Sequence, residues 1–137
     1  MTRDVQVVAP SDSIRRAAEL MDSLNVGVLP VCDGGNLVGV VTDRDITVRA
    51  TSTGRAPDEC LVGEVMTADV RYCYEDDVVN DVARLMGSVQ IRRIPVLDQS
   101  NRLTGIIALG DIATQAKENA AGPTLERISE PSRPDRS

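Results

Sequence analysis

Two copies of one short stretch decide the fold: Val26-Gly27-Val28-Leu29-Pro30-Val31 and Ile91-Arg92-Arg93-Ile94-Pro95-Val96. They lie 65 residues apart, and both have the pattern hydrophobic-x-x-hydrophobic-Pro-Val. The same offset continues upstream, where it pairs Val5 with Val70, Asp12 with Asp77, Ile14 with Val79, Ala18 with Ala83 and Met21 with Met86. Beyond Asp33 and Asp98 the offset becomes 66, because the second turn holds one extra residue. A register of this length indicates an internal repeat with two copies.

Each copy predicts the element order β-α-β-β-α. Apolar runs at residues 5–9 and 70–74 predict first strands. The apolar positions 14, 17, 18 and 21, and their matches 79, 82, 83 and 86, keep helical spacing. The helices are expected to end near Asn25 and Gln90. Two β-branched runs follow in each copy, divided by turn residues at 33–36 and 98–101, which predicts a hairpin. A second helix is expected from near Asp43 and from near Leu109.

The fold class is therefore α/β (α+β), with two repeats. We predict repeat 1 over residues 1–53, a linker with a short helix over 54–66, and repeat 2 over 67–119. Pro57 is expected to open the short helix, which runs through Val65 and Met66. Residues 120–137 are rich in proline, serine and arginine and are predicted to be a disordered tail.

Composition excludes several classes of enzyme. The chain of 137 residues has no histidine, tryptophan or phenylalanine and only two tyrosines. No imidazole is present for a Ser-His-Asp or Cys-His relay, and we expect no enzymatic activity. The three cysteines lack metal-ligand spacing, so no metal site is expected. Cys32 and Cys73 are interpreted as buried apolar residues, whereas Cys60 is expected to be exposed. The acidic run Glu75-Asp76-Asp77 fits a solvated helix start better than a metal site.

The charge balance limits the expected partners. A formal net charge of -6 disfavours general nucleic-acid binding, because phosphate neutralisation needs a basic surface. No apolar run reaches the roughly 20 residues of a membrane span, and the first residues do not resemble a signal peptide. With three cysteines that have no evident pairing, these features predict a cytoplasmic protein without nucleic-acid or membrane partners.

The repeat carries a family resemblance. Its β-α-β-β-α order, the Pro-Val strand and the turn Gly39-Val40-Val41-Thr42-Asp43-Arg44-Asp45 resemble a tandem pair of CBS (cystathionine-β-synthase) domains, or Bateman module. The resemblance covers about Val5 to Lys117. It implies two repeats related by a pseudo-twofold axis with two clefts between them. It further implies a regulatory sensor that binds adenosyl ligands such as AMP, ADP, ATP or NAD, needs no cofactor, forms a homodimer and acts on an unidentified protein.

The first candidate site centres on Thr42, Arg44 and Asp45. Asp45 can accept both hydroxyl hydrogens of a ribose, and Thr42 can donate to a phosphate oxygen. The alternative is plain helix capping, with Thr42 or Asp43 as the N-cap and Asp45 as a first-turn carboxylate. The two interpretations can hold together.

The resemblance implies that each cleft is built crosswise. The Asp45 cleft would receive Val70, Arg71 and Tyr72, and also Ile91, Arg92, Arg93 and Ile94, from the second copy. One of the two arginines is expected to reach the cleft, because successive strand residues face opposite sides. A guanidinium there would suit a phosphate. The nucleotide as a whole is expected to bind with micromolar affinity. The alternative for these arginines is a solvated strand edge or a structural ion pair.

The second candidate site is weaker. It comprises Val5, Val7, Val26, Gly27, Val28, Ala108 and Asp111. Asp111 matches Asp45, but Ala108 stands where the first copy has Thr42, which removes one hydroxyl. This asymmetry leaves a second interpretation of the whole protein open, namely a structural or protein-interaction module with vestigial ligand sites.

Overall fold

The computed structural model describes residues 3, 5–89 and 93–110 of the chain. These residues form two compact units. One is Gln6–Val70, and the described part of the other is Arg3, Val5 and residues 71–89 and 93–110. Residues 111–137, which include most of the second repeat's predicted last helix and the predicted tail, lie outside the described residues. Within the described ranges no helix is long and apolar enough to cross a membrane.

The first unit contains most of one β-α-β-β-α repeat. Its elements are α1 (Ile14–Leu24), β1 (Val28–Asp33), β2 (Asn36–Thr42), α2 (Asp43–Arg49), a 3₁₀ turn (Thr51–Thr53) and α3 (Val62–Val65). Ser13 caps α1 by accepting a hydrogen bond from the Arg16 amide at 3.1 Å. Asn25 ends α1 in the left-handed conformation, at φ 56°. Helix ends and hairpin therefore agree with the sequence prediction.

The second unit repeats this arrangement. Its elements are β3 (Cys73–Tyr74), α4 (Val79–Val89), β4 (Arg93–Leu97) and β5 (Leu103–Ala108), followed by helical residues Leu109 and Gly110. The sheet order is β3-β4-β5, with β3 parallel and β5 antiparallel to β4. β1 and β2 pair antiparallel in the same way, and a bulge follows Val31 in one hairpin and Val96 in the other. The matched bulges show that the sequence repeat is a structural repeat.

The hairpin turns explain the change of offset. Gly34 and Gly35 have φ of 60° and 88°, as a two-residue turn between twisted strands requires. The second turn is longer, and Asp98 stabilises it by accepting hydrogen bonds from the amides of Ser100 and Arg102. Asn101 supplies the left-handed residue there, at φ 62°. The extra residue is thus absorbed in the loop, and the strands keep their register.

The predicted first strands are shorter in the structure. In the first unit only Val8 pairs, through its amide to Pro30 and its carbonyl to the Cys32 amide. The Val5 amide turns back to the Arg3 carbonyl, and the Ala9 amide is held by the Asp12 carboxylate at 2.8 Å. The second strand is limited to Cys73–Tyr74, and Asp77 accepts from the Tyr74 amide at the same 2.8 Å. The carboxylate turns lie at the predicted strand ends, Ala9 and Tyr74, and the strands are shorter because residues 5–7 and 70–72 lie outside them.

The start of the short helix and the exposure of Cys60 were predicted wrongly. No helix begins at Pro57, because its carbonyl and that of Cys60 accept hydrogen bonds from the Arg15 and Ile14 amides at the start of α1. Cys60, whose carbonyl makes one of these contacts, is fully buried rather than exposed. Ala18 is exposed, since the buried stripe of α1 is narrower than its apolar pattern.

Aliphatic side chains and cysteines build the core of each unit. The first core comprises Val8, Ile14, Ala17, Met21, Leu29, Val31, Val41, Ala50, Cys60, Val62 and Val65. The second comprises Cys73, Val79, Val82, Met86, Ile94, Val96 and Ile107. Matched positions of the repeat, such as Leu29 with Ile94 and Met21 with Met86, are buried in both units. Cys32 and Cys73 are buried free thiols, as predicted.

Cys73 gives the protein a pH dependence that can be tested. Burial, and then the charge of Asp77, raises the pKa of its thiol to about 12, from an ordinary value of 9.0. Between these values the unfolded chain releases the thiol proton and the folded chain keeps it, so the free energy of unfolding falls as the pH rises. Cys73→Val, which installs the residue of the matched position Val8, is expected to remove up to about 1.4 kcal/mol per pH unit of this loss. Urea unfolding of both proteins at pH 8 and 10.5 measures it, and identical pH dependence would contradict the assignment.

Candidate functional site

Asp45 lies in a complete capping box at the start of α2. The Asp45 amide donates to Thr42 Oγ1 at 3.0 Å, and the Thr42 amide donates to Asp45 Oδ2 at 3.0 Å. This reciprocal pair satisfies two amide donors that a helix start leaves unpaired. The capping interpretation of Thr42 and Asp45 is therefore confirmed. Ligand contact by the same residues stays a prediction. It is compatible with capping, because capping uses only part of their hydrogen-bonding capacity.

Asp45 is also buried, which is unusual for a carboxylate. The residue is 8% exposed, and it is the only charged residue in the buried interior of the described chain. A buried carboxylate is costly unless donors surround it. Its partners in the first unit therefore determine what else it can bind.

Thr67 is a partner that the sequence analysis missed. Its hydroxyl donates to both carboxylate oxygens of Asp45, at 3.3 Å each. Its backbone pairs with Val40 in β2, with hydrogen bonds of 2.8 and 2.9 Å. The repeat contained a signal for it, because Met66-Thr67 matches Met1-Thr2 at the offset of 65.

Arg49 is a second partner that was missed. Its Nη1 lies 3.9 Å from Asp45 Oδ1, one helical turn away on α2. The same nitrogen donates to the carbonyls of Val65 and Met66, at 3.0 Å each. Arg49 thus places positive charge near the carboxylate while it holds the end of α3.

The remaining residues predicted for the first site divide between the two units. Arg44 is exposed beside Asp45, and its amide donates to Asp43 Oδ1 at 2.8 Å. Val70 is half-buried and ends the same unit as Asp45. The other described candidates, Arg71, Tyr72, Arg93 and Ile94, belong to the second unit. Ile91 and Arg92 lie outside the described residues.

In the second unit these candidates differ in exposure. Arg71 and Tyr72 are exposed, and Arg93 is half-buried at the start of β4. The Ile94 side chain is fully buried in the core, which leaves its backbone for the predicted contact. Tyr72 packs edge-to-face on Tyr74, with ring centroids 5.6 Å apart. Hydrogen bonding to Tyr72 raises the pKa of Tyr74.

The residues predicted for the second site also divide between the two units. Val5, Val26, Gly27 and Val28 are half-buried, and Val7 is exposed. Ala108 is 4% exposed at the end of β5, where a methyl group replaces the Thr42 hydroxyl. Asp111 lies outside the described residues. No three His, Cys, Asp or Glu side chains within the described ranges come together as a metal site.

Comparison with known proteins follows the same division of the chain. The CBS domain family model matches twice, over residues 1–50 and 62–118. CBS domain-containing protein YhcV of Bacillus subtilis is 43% identical over 94% of this chain and 91% of its own length. Hypoxic response protein 1 of Mycobacterium tuberculosis is 30% identical over 96% of this chain and 92% of its own.

A solved structure agrees with the fold. CBSX2 of Arabidopsis thaliana, crystallised in complex with AMP, superposes with a TM-score of 0.71 at 32% identity, covering 86% of this chain and 93% of that one. Its fold and the doubled family match agree with the repeat seen in sequence and structure. The chain belongs to the CBS-domain family and is a CBS-domain pair with the α+β fold of the Bateman module.

Proposed function

We propose that the protein is a regulatory sensor that binds an adenine nucleotide at Asp45 and has no catalytic activity of its own. The buried Asp45 carboxylate carries this proposal. A carboxylate offers about four acceptor positions, and the Thr42 amide and the Thr67 hydroxyl are its hydrogen-bond donors in the described chain. The Thr42 amide uses one of these positions, and the long contacts of the Thr67 hydroxyl, at 3.3 Å each, are the ones that ribose hydroxyls can replace.

Thr42 supports the phosphate side of the proposal. Its Oγ1 accepts from the Asp45 amide, so its own hydroxyl hydrogen remains available to donate. Arg44 is exposed two residues further along the chain, and the crosswise arginines Arg71, Arg92 and Arg93 are the further candidates. In a chain of net charge -6, a nucleotide phosphate needs such a local cluster.

The relatives favour adenine over other bases. CBSX2 was crystallised with AMP, and it is 32% identical to this chain over most of both chains. The described chain has only Tyr72 and Tyr74 as rings, so aliphatic and backbone groups, among them Val70, would hold the base. We also propose a cytoplasmic location, because the three cysteines are free thiols and the cytoplasm keeps thiols reduced.

A second candidate function is a structural or protein-interaction module. Ala108 favours it, because the second site lacks the hydroxyl that Thr42 provides in the first. Under this alternative both sites are vestigial, and the protein acts through a homodimer and an unidentified regulated partner. Light scattering of the full chain tests the homodimer, which should show twice the mass of one chain.

Titration calorimetry with AMP, ADP, ATP and NAD distinguishes the two functions. We expect at least one of them to bind at one site per chain with a Kd of about 1–10 μM, roughly -7 to -8 kcal/mol. GMP serves as the base control and should bind more weakly. Absence of heat and of any thermal shift with all four adenine ligands would contradict the sensor and favour the interaction module.

A further inference from the structure

The Thr67 hydroxyl occupies the position in front of Asp45 that a ligand diol would need. Its Oγ1 is 3.3 Å from Oδ1 and 3.3 Å from Oδ2. A hydroxyl that is equally far from both oxygens and bonded to both lies in front of the carboxylate, midway between them. Two neighbouring hydroxyls that bind one carboxylate, one on each oxygen, approach through the same position.

The backbone of Thr67 keeps the hydroxyl there. Thr67 and Val40 exchange two hydrogen bonds, of 2.8 and 2.9 Å. Gly39 lets the Val40 and Thr67 segments approach each other, because a Cβ at residue 39 would lie 2.7 Å from the Thr67 carbonyl oxygen. The Thr67 side chain can therefore leave Asp45 by rotation about χ1 while the backbone pair stays intact.

We propose that Thr67 is an internal competitor for the Asp45 carboxylate, which a diol-bearing ligand must displace. This inference rests on the proposed function and adds a regulatory contact to the same site. The contact is long and shared between two acceptors, so it is weaker than a direct charged hydrogen bond. A ribose that brings two hydroxyls can replace it, and binding then moves a side chain in the segment that leads into the second unit.

Thr67→Val tests the competition, because valine keeps the branched shape and replaces the hydroxyl by a methyl group, which cannot donate to Asp45. We expect this variant to bind AMP about three- to tenfold more tightly than the wild type, corresponding to one weak hydrogen bond. Thr67→Ser keeps the hydroxyl and should bind AMP as the wild type does. With 2′,3′-dideoxy-AMP, which has no diol, Thr67→Val should show no gain over the wild type.

Methyl NMR of the wild type provides a readout that needs no variant. Saturating AMP should shift the Thr67 methyl signal through the change in χ1, and dideoxy-AMP should not. If wild type binds AMP but Thr67→Val binds it equally or more weakly, the competition is wrong and the sensor function stands. An unshifted methyl signal in AMP-bound wild type would also overturn the competition. If wild type binds no adenine nucleotide, the proposed function fails and the competition fails with it.

Discussion

Asp45→Asn is expected to weaken AMP binding by about 100-fold or more while α2 stays capped. The substitution removes the negative charge and one of the two acceptor oxygens that a ribose diol needs. Hydrogen bonds to a charged group are worth about 1.5–3 kcal/mol each, so losing two of them accounts for at least this factor. The asparagine carbonyl can still accept from the Thr42 amide, which now bonds to Asp45 Oδ2 at 3.0 Å. Calorimetry with AMP on both proteins measures the loss.

Asp45→Ala is the comparison that separates binding from capping. Alanine removes the capping box as well, and the free energy of unfolding should fall by about 1 kcal/mol even without ligand. A lower melting temperature in Asp45→Ala therefore says nothing about nucleotide binding. If Asp45→Asn keeps the wild-type stability but gives no binding heat with AMP, the carboxylate is a ligand contact. Wild-type affinity in Asp45→Asn would show that AMP does not use Asp45.

The hairpins and main helices were predictable because local chemistry specifies them. Ser13 and Asn25 define the ends of α1 through their own hydrogen bonds and backbone conformation. Gly34 and Gly35 define the first turn through positive φ. Because the repeat gives each pattern twice, an accidental match at one copy would not recur at the other. These elements depend on residues within a few positions of each other, which sequence reasoning can read.

The linker was harder to predict because distant carbonyl partners determine it. Pro57 and Cys60 accept hydrogen bonds from α1, more than 40 residues earlier in the chain. Near that contact Cys60 is buried, and the short helix begins at Val62 instead of Pro57. Residue types at 54–66 do not encode that contact locally, and propensity alone therefore favoured the wrong start.

In the candidate site too, contacts between residues distant in sequence were harder to predict than local ones. Thr42 and Asp45 could be identified from spacing, since Asp45 follows Thr42 by three positions. Thr67 lies 22 residues beyond Asp45 along the chain, and Arg49 reaches carbonyls 16 and 17 residues away. The Thr67 contact depends on its backbone pairing with Val40, and the Arg49 contacts depend on the Val65 and Met66 carbonyls. No local pattern specifies either arrangement. The crosswise contacts from Arg71, Tyr72, Arg93 and Ile94 stay predictions.

Gly39→Ala is expected to lower the free energy of unfolding by about 1–3 kcal/mol, the usual range for overpacking. The new Cβ would lie 2.7 Å from the Thr67 carbonyl oxygen and 3.1 Å from Met66 Sδ. The methionine can rotate away, but the carbonyl belongs to the backbone pair with Val40 and can move only if that pair opens. Amide exchange at Val40 and Thr67 should therefore speed up together with the loss measured by urea unfolding.

Gly87→Ala is the matched control, since it adds the same methyl group where space exists. Gly87 is exposed within α4, and nothing lies within 4 Å of the position its Cβ would take. Alanine favours a helix interior over glycine, so this variant should gain about 0.5–1 kcal/mol. Opposite signs in the two variants would show that Gly39 is required for the close approach of Thr67 and not as a flexible residue. Equal effects would contradict the pairing that places the Thr67 hydroxyl in front of Asp45.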